Sequence, residues 1–487
     1  MLALFLLAGA ATAFGAGQQD EAAAAESAPL IWYVPGGGGY PYNETEEAAV
    51  YEAFNEIMEQ EIGVTVDITV QGGFGEYGDT MPLILASGES MDIFWTANWS
   101  NDFLQNAADG YLAGLDDLLE EYGQDILSDT REQLEATRVN GEIRGVWSQQ
   151  IAVYNSQITA NMDLVEEYGW DMNAIEVLED LEPILDEVLE QEPELYPFGS
   201  TVNPFGLIWP YYGIHGLGVL DSVVGVYAED PNMEVVSVVE TPEYREWTEL
   251  MYKWNERGYL PQDGLTFTGD QWRQLQNQAR IAMWYHNTYN PQNAEIERAG
   301  ALYKAFRIGD GYTITGNIIN TLQGVHSQSE RQVDAVRLLN EMWTNKEAYN
   351  ILVWGLEGRH YESTGPNRIT PMQDSGYYTN LPWMWGNTFQ SYLLSHQPDS
   401  LFDEVRELNA NSEKVPTLGF SPDLDAVSTL VASVSAVRDQ YETQVGGGYI
   451  DPAEGIPQYV NALKQAGIDE LIEQLQQQID AWAESNR

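Results

Sequence analysis

Leu30–Val34 is a dense apolar run that stops at the glycines Gly36–Gly39, and Val64–Val70 alternates apolar with polar positions. Both patterns predict strands, and the short apolar run Ile93–Trp95 predicts a third. Between the first two, Ala49, Tyr51, Ala53, Phe54, Ile57 and Met58 recur at helical spacing within Glu46–Gln60. A second helix ends through Pro82–Ala86 at Ser87-Gly88. Strand–helix alternation of this kind predicts an α/β fold with a mostly parallel sheet.

Helical patterns recur further along. Ala174–Glu190 is one, and Thr241–Gly258 is another, with proline near its first turn and glycine at its end. Ser329-Glu330-Arg331-Gln332 fits a capping box ahead of Val333, Val336, Leu339, Met342 and Trp343. Ile468, Leu471, Ile472, Leu475, Ile479 and Trp482 form one stripe near the end of the chain. No internal repeat or long linker interrupts residues 29–487, so the lobes of the fold are interwoven.

Length changes this picture first. Single cores stop growing near ~250–300 residues, so a chain of 487 residues with 44% hydrophobic content divides into two lobes. Met1–Gly17 reads as a signal peptide built on the apolar stretch Leu2–Ala13, although no basic residue precedes Arg131. Gln18–Ala28 reads as a disordered spacer. Cysteine is absent, which excludes disulfides, thiol catalysis and a thioether lipid anchor. An exported protein free of any lipid anchor, periplasmic or otherwise extracytoplasmic, is the expectation.

Charge excludes more. Seventy-six acidic residues against 21 basic ones leave a net charge of −55, which argues against nucleic acid and anionic lipid as partners. Such a surface suits saline surroundings, where salt screens its self-repulsion.

Sequence motifs give little sign of catalysis. Gly73-Phe74-Gly75-Glu76-Tyr77-Gly78 matches a dinucleotide fingerprint, with Asp92 about 20 residues on. That acid, however, opens its strand, whereas a ribose-binding acid closes one, and the motif reads better as a loop with a structural aspartate. His215, His286, His326, His360 and His396 show no metal-ligand spacing, and no G-x-S-x-G is present. No cofactor and no metal are expected.

The aromatic residues carry the functional signal. Tryptophans and tyrosines stand beside amides in "TANWSN", "VWSQQ", "IWPYYG", "MWYHNTYN" and "LPWMWGN". A sugar ring stacks its C–H face on such rings while its hydroxyls need fixed hydrogen-bonding partners. Any one tryptophan is more often core than platform, but their recurrence after strand ends favours a carbohydrate cleft.

The order of several phrases resembles the extracytoplasmic solute-binding proteins of carbohydrate ABC importers, in the maltose-binding-protein-like class and its long subgroup. They include "LILASGESMDIFWTANW" (83–99), "ADGYLAGLDDLLEEYGQDI" (108–126), "AVRLLNEMWTNKEAYNILVWGLEGRHYE" (335–362), "TLGFSPDLDAV" (417–427) and "LKQAGIDELIEQLQQQIDAW" (463–482). The resemblance implies a two-lobed α/β periplasmic-binding-protein fold of type II with hinge crossovers. Lobe one would comprise 29–148 and 312–356, and lobe two 149–311 and 357–487 with the C-terminal helices. It also implies capture of an oligosaccharide or sugar derivative between the lobes and delivery to ABC permease subunits by a monomer. "GVWSQQ" resembles the crossover strand and brings Trp147 and Gln149 to the cleft.

Together with the aromatic phrases this gives the candidate ligand-binding residues Asn98, Trp99, Trp147, Gln149, Trp209, Tyr211, Tyr212, Trp284, Asn287, Trp383 and Trp385. Glu357 and His360 join them from a family-like phrase that serves either the cleft and hinge or interlobe packing. The alternative is a secreted glycoside hydrolase or polysaccharide lyase, since 76 acids make carboxylate pairs inevitable.

Overall fold

The computed structural model describes residues 28–37, 39–200, 211–220, 223–286, 289–291 and 294–486. The expected signal peptide and most of the spacer lie outside them. The first lobe opens with β1 (Leu30–Gly36), α1 (Glu44–Ile62), β2 (Val66–Gly73), α2 (Phe74–Ser87) and β3 (Ile93–Thr96), and leaves through β4 (Val146–Trp147). The second lobe supplies β5 (Val153–Asn161), α3 (Glu182–Gln191), β6 (Tyr196–Ser200), α4 (Pro242–Glu256), β7 (Ile281–His286), β8 (Glu295–Arg298) and β9 (Ala301–Thr313). The chain then returns for β10 (Leu322–Val325), α5 (Gln332–Thr344) and α6 (Lys346–Trp354). It ends in the second lobe with α7 (Leu401–Asn411), α8 (Leu424–Gly446), α9 (Pro452–Ala466) and α10 (Ile468–Asn486).

The two sheets are mixed, which corrects the expectation of mostly parallel strands. In the first lobe the order is β2-β1-β3-β10-β4. There β1 runs parallel to β2 and β3, while β10 runs antiparallel to both β3 and β4. In the second the order is β8-β9-β5-β7-β6, where β7 and β6 run parallel and the other neighbours antiparallel, and the short strand Glu413–Lys414 pairs parallel with β9 off this path. The hinge explains the reversals. A strand that enters from the other lobe starts at the edge where β1 and β3 finish, so it must run against them. By the same geometry the carboxyl ends of β6 and β7 point to the hinge from the other side.

Each lobe has its own core. Trp32, Phe54, Tyr77, Trp95, Trp147, Leu322 and Trp343 lie in the first, and Phe198, Trp247, Trp254, Tyr285, Val434, Tyr459 and Leu475 in the second. The C-terminal stripe is buried as its spacing predicts, with Ile468, Leu471, Leu475 and Ile479 fully enclosed. Tyr361, Ile369, Leu381, Met384 and Trp385 belong to the first core. The return to lobe two therefore falls after residue 385, later than the boundary at 357 expected from sequence.

Two local expectations also change. Ala174–Glu190 is not one helix: 3₁₀ turns cover Met172–Ala174 and Leu178–Leu181, and α3 starts at Glu182 with proline in its first turn. Pro183 has no N–H to donate, so it fits a first turn and not a helix interior. Ser329 does not cap α5 either. Its hydroxyl donates to Asp92 Oδ1 and accepts from the Arg331 N–H at 3.0 Å. Asp92 is structural as expected, because its other oxygen accepts from the Ile31 N–H at 2.9 Å and ties β1 to the entry of α5.

Candidate functional site

The loop after β3 is shaped by bonds to its own strand. Tyr77 Oη and Asn101 Nδ2 both donate to the Trp95 carbonyl, at 2.8 and 2.9 Å. This holds Ala97–Asn101 beyond the carboxyl end of the sheet, where open α/β sheets present their ligand sites. Asn98 Nδ2 donates to the Gly316 carbonyl at 2.9 Å, and its backbone N–H donates to the Ile319 carbonyl at 3.0 Å. Trp99 Nε1 donates to the Asn320 carbonyl at 2.8 Å. Residues 316–320 belong to the chain returning from the second lobe, so this loop is moored to the hinge.

Trp99 remains 52% exposed despite that bond. Its ring meets Phe74 at 5.2 Å, Trp95 at 5.3 Å and Trp383 at 6.4 Å between centroids. Trp383 in turn stacks on Phe74 at 5.6 Å with an interplanar angle of 23°. Trp95 is buried and forms the floor. The result is an aromatic wall, immobilised from behind and open in front.

The hinge beside it is hydrogen-bonded across all three crossings. Ser148 N–H donates to the Thr321 carbonyl at 3.2 Å, and its hydroxyl donates to the Met384 carbonyl at 2.9 Å. Thr388 N–H donates to the Gln149 carbonyl at 2.9 Å. Asn409 on α7 accepts from the Ala152 N–H and donates to the Gln150 carbonyl, both at 2.8 Å. Gln149 Oε1, Asn155 Nδ2 and Asn317 Nδ2 are buried polar atoms there without a hydrogen-bond partner. Unpaired buried groups of this kind are rare in folded proteins and are suited to meeting a polar ligand.

Across the hinge, β7 runs antiparallel to β5, so its carboxyl end returns towards the hinge. Trp209 and Asn287 lie outside the described residues. Tyr289, just past β7, donates its backbone N–H to Asn155 Oδ1, and its hydroxyl donates to Glu404 Oε1 at 3.3 Å. Burial pushes that phenol up to about 12. Tyr211 accepts from the Leu178 N–H at 3.1 Å and meets Tyr212 edge-on at 4.8 Å. Both rings are half-buried at the margin of the second core, and burial raises both phenols, that of Tyr212 strongly.

Of the residues named from sequence, the fold brings Asn98, Trp99 and Trp383 together and sets Gln149 beside them on the hinge. Trp147 and Trp385 are core instead, at 1% and 2% exposure: Trp147 pairs with Leu322 on the edge strand β4, and the Trp385 ring meets Trp32 of β1 edge-on at 5.3 Å. Trp284 is 5% exposed within a cluster of Trp272, Ile281 and Tyr303, its ring 4.7 Å from that of Tyr303. It lies inside β7, packed into this cluster and not past the strand end.

Glu357 sits exposed in a turn. His360 is fully enclosed as a clamp: Nδ1 accepts from the Leu356 N–H at 2.9 Å, and Nε2–H donates to Glu46 Oε2 at 3.0 Å. Burial lowers the pKa of this imidazole, against the opposing pull of Glu46. The family-like phrase is therefore a packing motif that joins the turn after α6 to α1.

Three contributors went unnamed in the sequence reading: Phe74, Asn320 and Tyr289. Phe74 directly follows the end of β2 and Tyr289 stands three residues past the end of β7, so the rule that singled out Trp99 reaches them too. Asn320 contributes through its backbone carbonyl, which no side-chain pattern announces.

Two α/β lobes joined by repeated crossings, with strand ends from both turned to the hinge, define a two-lobed solute-binding protein. The chain belongs to the bacterial extracellular solute-binding proteins, whose family model matches residues 42–348. A second model, a domain of unknown function (DUF3502), matches residues 416–484, essentially α8–α10. A relative from Streptococcus pneumoniae serotype 4, named carbohydrate ABC transporter substrate-binding protein, is 26% identical over 450 residues, covering 89% of this chain and 87% of its own. The crystal structure of an N-glycan transport solute binding protein (NgtS) from Streptococcus pneumoniae matches with a TM-score of 0.81 and 23% identity, over 94% of this chain and 100% of that one. The same protein in complex with Man5GlcNAc matches with a TM-score of 0.71 and 22% identity, over 94% and 99%. No helix among the described residues is long and apolar enough to cross a membrane.

Proposed function

We propose that this chain is the extracytoplasmic receptor of an ABC importer, which captures an oligosaccharide between its lobes and delivers it, uncleaved, to permease subunits as a monomer. The observation that carries this reading is Trp99: its ring is half exposed while its only polar atom is already bonded to Asn320. A ring held in this way offers its face to a sugar without further loss of side-chain freedom. Trp383 and Phe74 extend the surface, Asn98 and Gln149 supply amides, and Tyr289 stands past the end of β7, bonded to Asn155 and Glu404. The names of the relatives, which concern carbohydrate and N-glycan transport, support the same class of ligand.

The test is calorimetry and thermal shift against a panel of neutral oligosaccharides that includes Man5GlcNAc, with the products analysed afterwards. Binding without new reducing ends supports the reading. Product formation indicates a glycoside hydrolase or lyase, and no interaction with any member of the panel overturns it.

A further inference from the structure

We infer that Gly37 is a positioning residue for the aromatic wall: it permits a backbone-to-backbone contact that sets where the Trp383 ring stands against Phe74 and Trp99. The proposal deepens the reading of the cleft above and rests on it for what the ring does. The requirement at Gly37 is one of space. A Cβ built there would lie 2.1 Å from the Thr379 carbonyl oxygen, 2.8 Å from its carbon and 2.9 Å from its Cα. These are backbone atoms, which cannot rotate away as a side chain could. The contact continues along the two segments, since the Gly39 N–H donates to the Tyr378 carbonyl at 2.7 Å and the Asn43 N–H to the Gly376 carbonyl at 2.8 Å. Tyr42 Oη accepts the Gly37 N–H itself at 2.6 Å.

The opposite side of segment 376–383 has no room to yield. Thr379 Oγ1 donates to the Val353 carbonyl at 2.7 Å and Tyr377 Oη to the Leu352 carbonyl at 2.8 Å. Tyr349 Oη donates to the Pro382 carbonyl, one residue before Trp383. A methyl group at position 37 must therefore either push this segment off α6 or displace the loop after β1. In the first case Trp383 moves with it. In the second the segment loses the support that faces Gly37. The glycine run thus fixes a tryptophan more than 340 residues away in sequence.

The test uses the full-length protein labelled with fluorotryptophan, with the Trp99 and Trp383 resonances assigned through Trp→Phe variants. Gly37→Ala is expected to shift or broaden the Trp383 resonance, and to a lesser degree that of Trp99, while those of Trp247 and Trp254 in the other core stay in place. It is also expected to weaken Man5GlcNAc binding several-fold in the parent and to have no effect on it in a Trp383→Ala background. An unmoved Trp383 resonance overturns the proposal. If Gly37→Ala does not fold, Tyr42→Phe, which removes only the acceptor for the Gly37 N–H, decides by the same resonances. The resonances need no ligand, so failure of the parent to bind any oligosaccharide bears on the proposed function alone.

Discussion

The indole N–H of Trp99 donates to the backbone carbonyl of Asn320 at 2.8 Å, across 221 positions of sequence. One partner follows the third strand of the first lobe, and the other stands on the crossing that returns from the second. The bond orients the ring and leaves its face free. Trp99→Ala is expected to weaken oligosaccharide binding by about 1–3 kcal/mol, roughly 5–150-fold in Kd, with little change in melting temperature. Trp99→Phe keeps a stacking face but loses the mooring, so its affinity is expected to fall between the two. Calorimetry on the three proteins checks this order.

Trp383 and Trp284 are expected to behave oppositely. Trp383→Ala removes part of the wall and weakens binding by an amount comparable to Trp99→Ala. Trp284→Ala opens a cavity beside Tyr303 and is expected to destabilise the second lobe by about 3–5 kcal/mol, since large buried aromatic residues cost that much to truncate. Urea unfolding alongside the binding measurement separates the two effects.

His360 holds a turn. Its replacement by alanine leaves the Leu356 N–H without an acceptor in a buried place and frees Glu46 from one partner. A loss of about 2–3 kcal/mol of stability is expected, with oligosaccharide affinity unchanged. A selective loss of affinity without a loss of stability would return this residue to the cleft.

His215 gives the protein an acid-sensitive point. Its Nδ1–H donates to the Gly216 carbonyl at 3.0 Å, its Nε2 lies 3.2 Å from Thr417 Oγ1, and burial lowers its pKa from 6.5 to about 4. The folded state thus binds this proton later than the unfolded chain does. The contribution is complete above pH 6.5 and is lost as pH falls towards 4, amounting to about 3 kcal/mol in all. The difference in unfolding free energy between the parent and His215→Gln, followed from pH 7.5 to 4.5, is expected to shrink in this window.

The net charge of −55 predicts a melting temperature that rises as sodium chloride increases from 0.05 to 1 M, because screening relieves repulsion among exposed carboxylates. Scanning calorimetry across that series measures the effect. A flat or falling profile would contradict it.

Much of the scaffold was legible before any coordinates. Periodic apolar positions located β1, α1, β2 and the buried stripe of α10, since burial of one face is a local requirement read directly from spacing. The rule that ligands sit beyond strand ends led to Trp99 from its place after Ile93–Trp95. The same rule misled at Trp284, where an aromatic in a quoted phrase lay within the strand and not past it. Tyr289, five residues on, occupies the place the rule describes. Strand direction escaped too, because a strand's sense depends on the lobe from which the chain arrives.

The sequence by itself determined the α/β character, the two-lobed scale, the exclusion of thiol chemistry, a strongly acidic charge, and a supply of aromatic residues larger than packing requires. These follow from composition and short-range periodicity. Only the tertiary structure decided which aromatics serve the core and which form a wall. Trp147, Trp385 and Trp99 have similar neighbours in sequence, yet two are buried in the first core and one stands half exposed. The difference comes from contacts with segments hundreds of residues away: the Asn320 carbonyl behind Trp99, and the Gly37–Thr379 backbone approach that holds the segment carrying Trp383. Such contacts depend on how the crossings fold back on one another, and no local pattern encodes them.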